Sequence, residues 1–245
     1  MPLYLIYEWV IQMKTIARFL APSLVVIAVL SLPATGSAEK KYRFEFFGGI
    51  NSPIDKDFEI GAPQSDVIVQ GTHEFSQGGQ GGVRFGIDGA RYWGQDYAYS
   101  YGANASKLVT KFGSFAFTNR FHQASSNVLF YPWSLDRRHV FPYVTAGVGA
   151  TFVVLKRDII TESLTPSQGG IGALKSETIF AFNAGAGVRF RLNERIGIRF
   201  DGRDYMSRPL RYGLPKDSSN PNQSVLPVAG VFHQIAGTVG VVIHF

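Results

Sequence analysis

TIFAFNAGAGVRFRLNERIGIRFDGRDY, residues 178 to 205, is two runs of alternating residues around a short break. In the first run Phe180, Phe182, Ala184, Ala186, Val188 and Phe190 fall on one side, and Asn183, Gly185, Gly187, Arg189 and Arg191 on the other. In the second, Ile196, Ile198 and Phe200 oppose Arg199, Asp201 and Arg203. Side chains of a β-strand point alternately to its two faces, so this period of two predicts two strands, each oily on one face and charged or small on the other. The break LNE (192–194) suits a tight connection between antiparallel neighbours.

The same pattern recurs. Strand signals cover YRFEFFGGI (42–50), GGQGGVRFGID (78–88), WGQDYAYSYGA (93–103), FHQASSNVLFY (121–131), VFPYVTAGVGATFVV (140–154), the two runs above, and FHQIAGTVGVVIHF (232–245). Val83, Phe85 and Ile87 oppose Arg84, Gly86 and Asp88, and Ile235, Val239, Val241, Ile243 and Phe245 oppose Gln234, Thr238 and His244. No helical period stands out after residue 38. The connections alternate: 51–77, 104–120, 155–177 and 206–231 read as long polar loops, whereas GARY (89–92), PWSLDRRH (132–139) and LNE are short. In an antiparallel sheet that puts every long loop at one end and every short turn at the other. Such asymmetry, with eight strands of about ten residues, is the pattern of a bacterial outer-membrane barrel. Closure also protects the terminal strand, whose free edge would otherwise invite pairing with another chain.

Alternation alone does not orient the faces, since a soluble barrel of lipocalin type would turn its oily side inward around a ligand. The charged face carries both signs: Arg43, Glu45, Arg84, Asp88, Asp96, Arg189, Arg191, Arg199, Asp201 and Arg203. Such a set is expected where side chains neutralise one another inside a narrow lumen. The oily face is aromatic toward strand ends, at Tyr42, Trp93, Tyr101, Phe190 and Phe245, where a membrane-interface girdle would sit. The expected fold is therefore all-β: an eight-stranded antiparallel up-and-down transmembrane β-barrel over residues 39–245, preceded by an N-terminal signal-peptide helix.

The leader is read from Lys14 and Arg18, then the apolar run Phe19 to Leu32, then the small residues of PATGSA, with cleavage expected after Ala38. The run is about 14 residues, short of the ~20 that a spanning helix needs. Residues 1–12 look like an over-extended start, with Met13 the more natural one. Net charge is +6, but Lys and Arg are scattered and no nucleic-acid motif is present, so nucleic acid is not an expected partner. Absence of cysteine excludes disulfides, thiol catalysis, cysteine-ligated metal and a lipoprotein anchor.

On NVLFYP (127–132), FPYVTAGVGATF (141–152), RIGIRFDGRDY (195–205) and the terminal GVVIHF, the chain resembles the small outer-membrane β-barrel superfamily that includes the opacity-protein-like and OmpA-like barrels. The resemblance covers residues 39–245. It implies a monomer in the outer membrane of a Gram-negative-type bacterium, in contact with lipid and lipopolysaccharide. It also implies that the terminal aromatic Phe245, with Ile243, Val241 and Val239, is an assembly signal read by the barrel-assembly machinery during insertion. No peptidoglycan-binding domain is expected.

Few residues offer chemistry, with five histidines in the chain. Some outer-membrane barrels are lipid A deacylases that use a His and a Ser two positions apart, and FHQASSN is the nearest match. Here, however, His122 plus two is Ala124, and Ser126, on the same face, is roughly 13 Å away by strand rise. His139, beside Asp136, Arg137 and Arg138, reads as solvated turn charge; His73 with Glu74, His233 and His244 lack metal-ligand spacing, and GGQGGVRFG lacks a phosphate-loop lysine. The expectation is no catalytic residue, no metal and no cofactor. The chain would act in envelope integrity or surface contact through its outer loops, chiefly 51–77 and 206–231, with the lumen charges as a plug. The alternatives are a narrow porin-like channel with a charged lumen, and a lipid A-modifying enzyme.

Overall fold

A computed structural model describes residues 41–60, 69–89, 91–110, 113–133, 139–155, 175–217 and 230–245. The expected leader, residues 1–38, lies outside this range, as do Asp136, Arg137 and Arg138. The described residues fold into strands β1 (Lys41–Pro53), β2 (Lys56–Ile60), β3 (Val69–Phe75), β4 (Gly78–Asp88), β5 (Trp93–Thr110), β6 (Gly113–Phe130), β7 (Val140–Leu155), β8 (Glu177–Arg191), β9 (Ile196–Ser207) and β10 (Phe232–His244).

Eight of these make a closed antiparallel barrel in the order β5-β4-β1-β10-β9-β8-β7-β6, sealed by pairing of β6 with β5. Its wall is staggered. Following paired residues from Arg43 leads through Gly86, Asp96, Asn127, Gly147, Asn183, Tyr205 and Gln234 back to β1 at Pro53, ten residues above the start. A ten-residue stagger over eight strands tilts each strand by about 40° and leaves an interior that side chains can fill. The last residue is part of the ladder: Phe245 and Tyr42 exchange two backbone hydrogen bonds of 3.1 Å.

Eight barrel strands match the eight predicted runs, and the alternation sorts as expected. Outward side chains form an apolar belt, with Phe46, Phe85, Trp93, Tyr101, Val144, Phe180, Phe200 and Val239 all exposed, whereas the buried set is dominated by Arg, Asp, Asn, Gln, Ser and Thr. Only a bilayer makes an oily exterior around a polar interior favourable.

Two of the expected loops are corrected. Residues 104–120 are not a loop: β5 and β6 run on as a hairpin to the pair Thr110 and Gly113. The 51–77 connection holds β2 and β3, which pair with each other, and β3 docks on the outer part of β5. Beyond the apolar belt the outward face no longer meets lipid, so the oily-polar contrast that marks a strand in the sequence fades there.

Candidate functional site

Counted upward from the short-turn end, the inward residues form three tiers. The lowest is ionic. Arg43, Glu45, Arg84, Asp88, Asp96, Arg189, Arg199, Asp201 and Arg203 are all buried, while Arg191, at the very end of β8, is half-buried. They come from β1, β4, β5, β8 and β9, and strand alternation aims all of them at the axis.

Asp96 stands at the centre. It pairs with Arg43, accepts from Arg199 Nη1 at 2.8 Å, and has Arg203 Nη2 at 3.8 Å. Glu45 takes Arg84 Nη1 at 2.6 Å, with Arg199 Nη1 at 3.4 Å. Asp201 accepts from Arg203 Nε at 2.6 Å and Arg199 Nη2 at 3.0 Å. Asp88 pairs with Arg43 and accepts from Tyr131 Oη at 3.2 Å. Tyr143 links the set, donating its hydroxyl to Asp201 and receiving the Arg199 Nε–H, each at 2.5 Å.

Guanidinium groups need room, and inward glycines provide it. A Cβ on Gly86 would collide with the Arg43 guanidinium, and one on Gly240 with the Glu45 carboxylate. Aromatic rings cover the remaining faces, with Arg84 4.6 Å from the Phe47 ring centre and Arg199 4.5 Å from that of Tyr143. These contacts stabilise desolvated cations. The tier is thus a cross-linked ionic network across the lumen.

The middle tier is neutral, with Asn51, Gln80, Ser100, Gln123 and Asn183 buried. Gln123 Nε2 donates to Thr151 Oγ1 at 3.2 Å, whereas both amide atoms of Asn51 and Asn183 lack partners among the described residues. The upper tier mixes apolar side chains with the buried amides of Asn104, Asn119 and Gln234. The segment after β9, Arg208 to Gly213, turns back into the mouth and buries Leu210 and Tyr212. Leu210 lines a small pocket with Pro53, Phe121, Val153, Ile179 and Phe232, whose wall also carries Asn104, Asn119 and Gln234.

This strap is fastened at one carboxylate. Glu177 Oε2 accepts the backbone N–H groups of Arg211 and Tyr212, each at 2.8 Å, and Oε1 pairs with Arg208 Nη2 at 2.7 Å. Lys175 N–H donates to Tyr212 O at 2.7 Å, and Asn119 Nδ2 donates to Tyr212 Oη at 3.3 Å. Burial raises the Tyr212 phenol above its ordinary pKa, so it stays protonated there. Tyr212 and Gly213 both have positive φ, 51° and 81°. For a tyrosine that conformation is uncommon, and here the anchors on either side hold it.

Sequence reasoning named the charges but missed the strap, Glu177, Tyr131 and Tyr143. The tyrosines had a signal, because each sits on the inward phase of its run.

His122 faces outward, its Nδ1 2.7 Å from Tyr99 Oη and its ring 5.0 Å from that of Tyr101. Ser125 points into the lumen and accepts from Asn127 Nδ2 at 3.2 Å. Val239, Val241, Ile243 and Phe245, expected to form an assembly signal, are all exposed on the apolar belt. Among the described residues no group of three or more His, Cys, Asp or Glu is placed to hold a metal ion.

No protein-family model matches this sequence, and no curated protein does. Solved structures do. OprG from Pseudomonas aeruginosa, an outer membrane protein, aligns over 86% of this chain and 98% of its own with 12% identity and a TM-score of 0.61. Neisserial surface protein A aligns over 85% of this chain and 100% of its own at 8% identity and a TM-score of 0.47. The N-terminal β-barrel domain of Pseudomonas aeruginosa OprF covers 84% of this chain and 97% of its own, at 16% and 0.42. At such identities the likeness is one of fold. With an apolar belt outside, an ionic lumen inside and long connections at one end only, this chain has the fold of the small bacterial outer-membrane β-barrels.

Proposed function

We propose that this chain is a sealed, non-enzymatic barrel, a monomer that anchors its outer loops in the outer membrane and acts in envelope integrity or surface contact. The lumen carries this reading: it is closed twice, by the ionic tier around Asp96 and by the strap bearing Leu210 and Tyr212. An eight-stranded barrel is narrow enough for side chains to fill it, and ions crossing this one would have to displace buried ion pairs. The belt supports contact with membrane lipid and lipopolysaccharide, and the exposed terminal Phe245 supports recognition by the barrel-assembly machinery. The β2–β3 hairpin and the 206–231 connection are the surfaces offered to a partner.

Single-channel recording of the folded protein in a planar bilayer tests the seal. The expected record is silent, and stays silent for Leu210→Ala because the ionic tier still closes the lumen. Reproducible conductance steps that change in Arg199→Gln would overturn the plug and establish the channel reading. That second reading has one observation in its favour, the amides of Asn51 and Asn183, buried without partners among the described residues, which water in the lumen would satisfy. For lipid modification the geometry offers less, because His122 and Ser125 lie on opposite sides of the wall.

A further inference from the structure

The floor of the lumen holds more positive charge than its carboxylates balance. In the ionic tier Arg43, Arg84, Arg189, Arg191, Arg199 and Arg203 face Glu45, Asp88, Asp96 and Asp201, six guanidinium groups against four carboxylates. The surplus is local. Arg189, only 1% exposed, is ion-paired to Asp88 Oδ2 at 3.0 Å from Nη2, and its Nε, Nη1 and Nη2 make no hydrogen bond among the described residues. Asp88 answers Arg43 and Tyr131 through Oδ1, so a single carboxylate oxygen, Oδ2, is left facing Arg189. Two residues along β8, Arg191 stands over the same ring as Arg189: their guanidinium carbons are 4.9 and 5.2 Å from the Phe141 centre. His244, on β10, is half-buried with its Nε2 enclosed and unpartnered.

Two like charges against one aromatic ring, one of them stripped of water and short of acceptors, are costly unless an anion joins them. Guanidinium donors form a planar fork that matches a tetrahedral oxyanion better than a spherical halide. Half-buried Arg191 leaves the site open toward the short-turn end, the side of the barrel opposite the strap.

We propose that Arg189, Arg191 and His244 form a binding site for a phosphate-class oxyanion at the short-turn floor of the barrel. Either free phosphate or the phosphodiester of an adjoining lipid headgroup carries that chemistry. The site occupies the lower edge of the ionic tier and opens away from the strap.

The test uses the folded full chain in a maltoside detergent free of phospholipid. Its heat-unfolding midpoint, read by the gel-mobility change between folded and unfolded forms, is followed against inorganic phosphate and against chloride at matched ionic strength. A saturable rise specific to phosphate is expected. In Arg191→Gln the apparent Kd should weaken at least about tenfold, the loss of one charge-assisted hydrogen bond. Arg91→Gln, in an exposed turn at the same end, should bind as the parent does. Phosphorus NMR line broadening on the same samples reports binding directly, whatever the substitutions do to stability. A second arm replaces phosphate with micelles doped with phosphatidylglycerol. An Arg191-dependent rise only in that arm assigns the site to a headgroup; a rise in both assigns it to the shared chemistry. If phosphate and chloride act alike and the doped micelles have no effect that depends on Arg191, the proposal is overturned.

Discussion

Arg199 and Arg191 are both lumen-facing arginines drawn from one sequence signal, yet their surroundings give them opposite weights. Arg199 is 1% exposed and reaches Glu45, Asp96 and Asp201. Replacing it with Met takes one arginine partner from each of three buried carboxylates, and breaking a buried pair from one side costs about 3–5 kcal/mol. Arg191 is half-buried at the rim, so its replacement by Gln should change stability by about 0.5 kcal/mol or less in the absence of anion. Urea unfolding in lipid vesicles checks both, and equal effects of the two substitutions would dissolve the distinction between plug and rim. The ten charges were legible in the sequence because alternation put them on one face. Their partners were not, because pairing between β1, β5 and β9 depends on barrel closure and stagger, which no local pattern encodes.

At the scale of elements, legibility follows the bilayer. Each run crossing the apolar belt was readable because lipid on one side and charge on the other enforce a period of two. The outer continuation ANASKLVTKFGSFAFTNR (103–120) lost that contrast and reads as loop, although it is a paired hairpin. The strap was hidden for a different reason. Pro209 and Gly213 punctuate it as a turn, and only Leu210 and Tyr212, two apolar residues in a polar connection, hint that it folds inward. Its attachment rests on Glu177, whose carboxylate holds two backbone N–H groups and Arg208. Hydrogen bonds to a charged acceptor contribute about 1.5–3 kcal/mol each. Glu177→Ala should therefore speed hydrogen exchange at the Arg211 and Tyr212 amides by roughly 10- to 100-fold, with the β-strand amides unchanged. Unchanged protection at those two amides would mean that Leu210 and Tyr212 hold the strap by burial alone.

For the whole molecule the decisive statement is which face of the wall meets lipid, because a barrel turned inside out would share the same strand count and alternation. Val144 and Val140 test it from one strand. Both point outward from β7 and both are exposed, at 54% and 44%. Val140 opens the strand at the short-turn end, and Val144 lies about 10 Å further up the membrane normal for a strand tilted near 40°, close to the middle of the belt. Neither belongs to the terminal segment Val239 to Phe245 expected to act as an assembly signal. If the belt faces hydrocarbon, Val144→Arg should destabilise the folded barrel by about 2–4 kcal/mol, while Val140→Arg, at the interface, should cost about 0–1 kcal/mol. Reversible urea unfolding in phosphatidylcholine vesicles, followed by tryptophan fluorescence, measures the pair. A depth-dependent cost on one strand is something only a bilayer imposes, since water would accept an arginine equally at either position. Equal, near-zero costs would return the chain to the soluble-barrel reading despite its charged lumen.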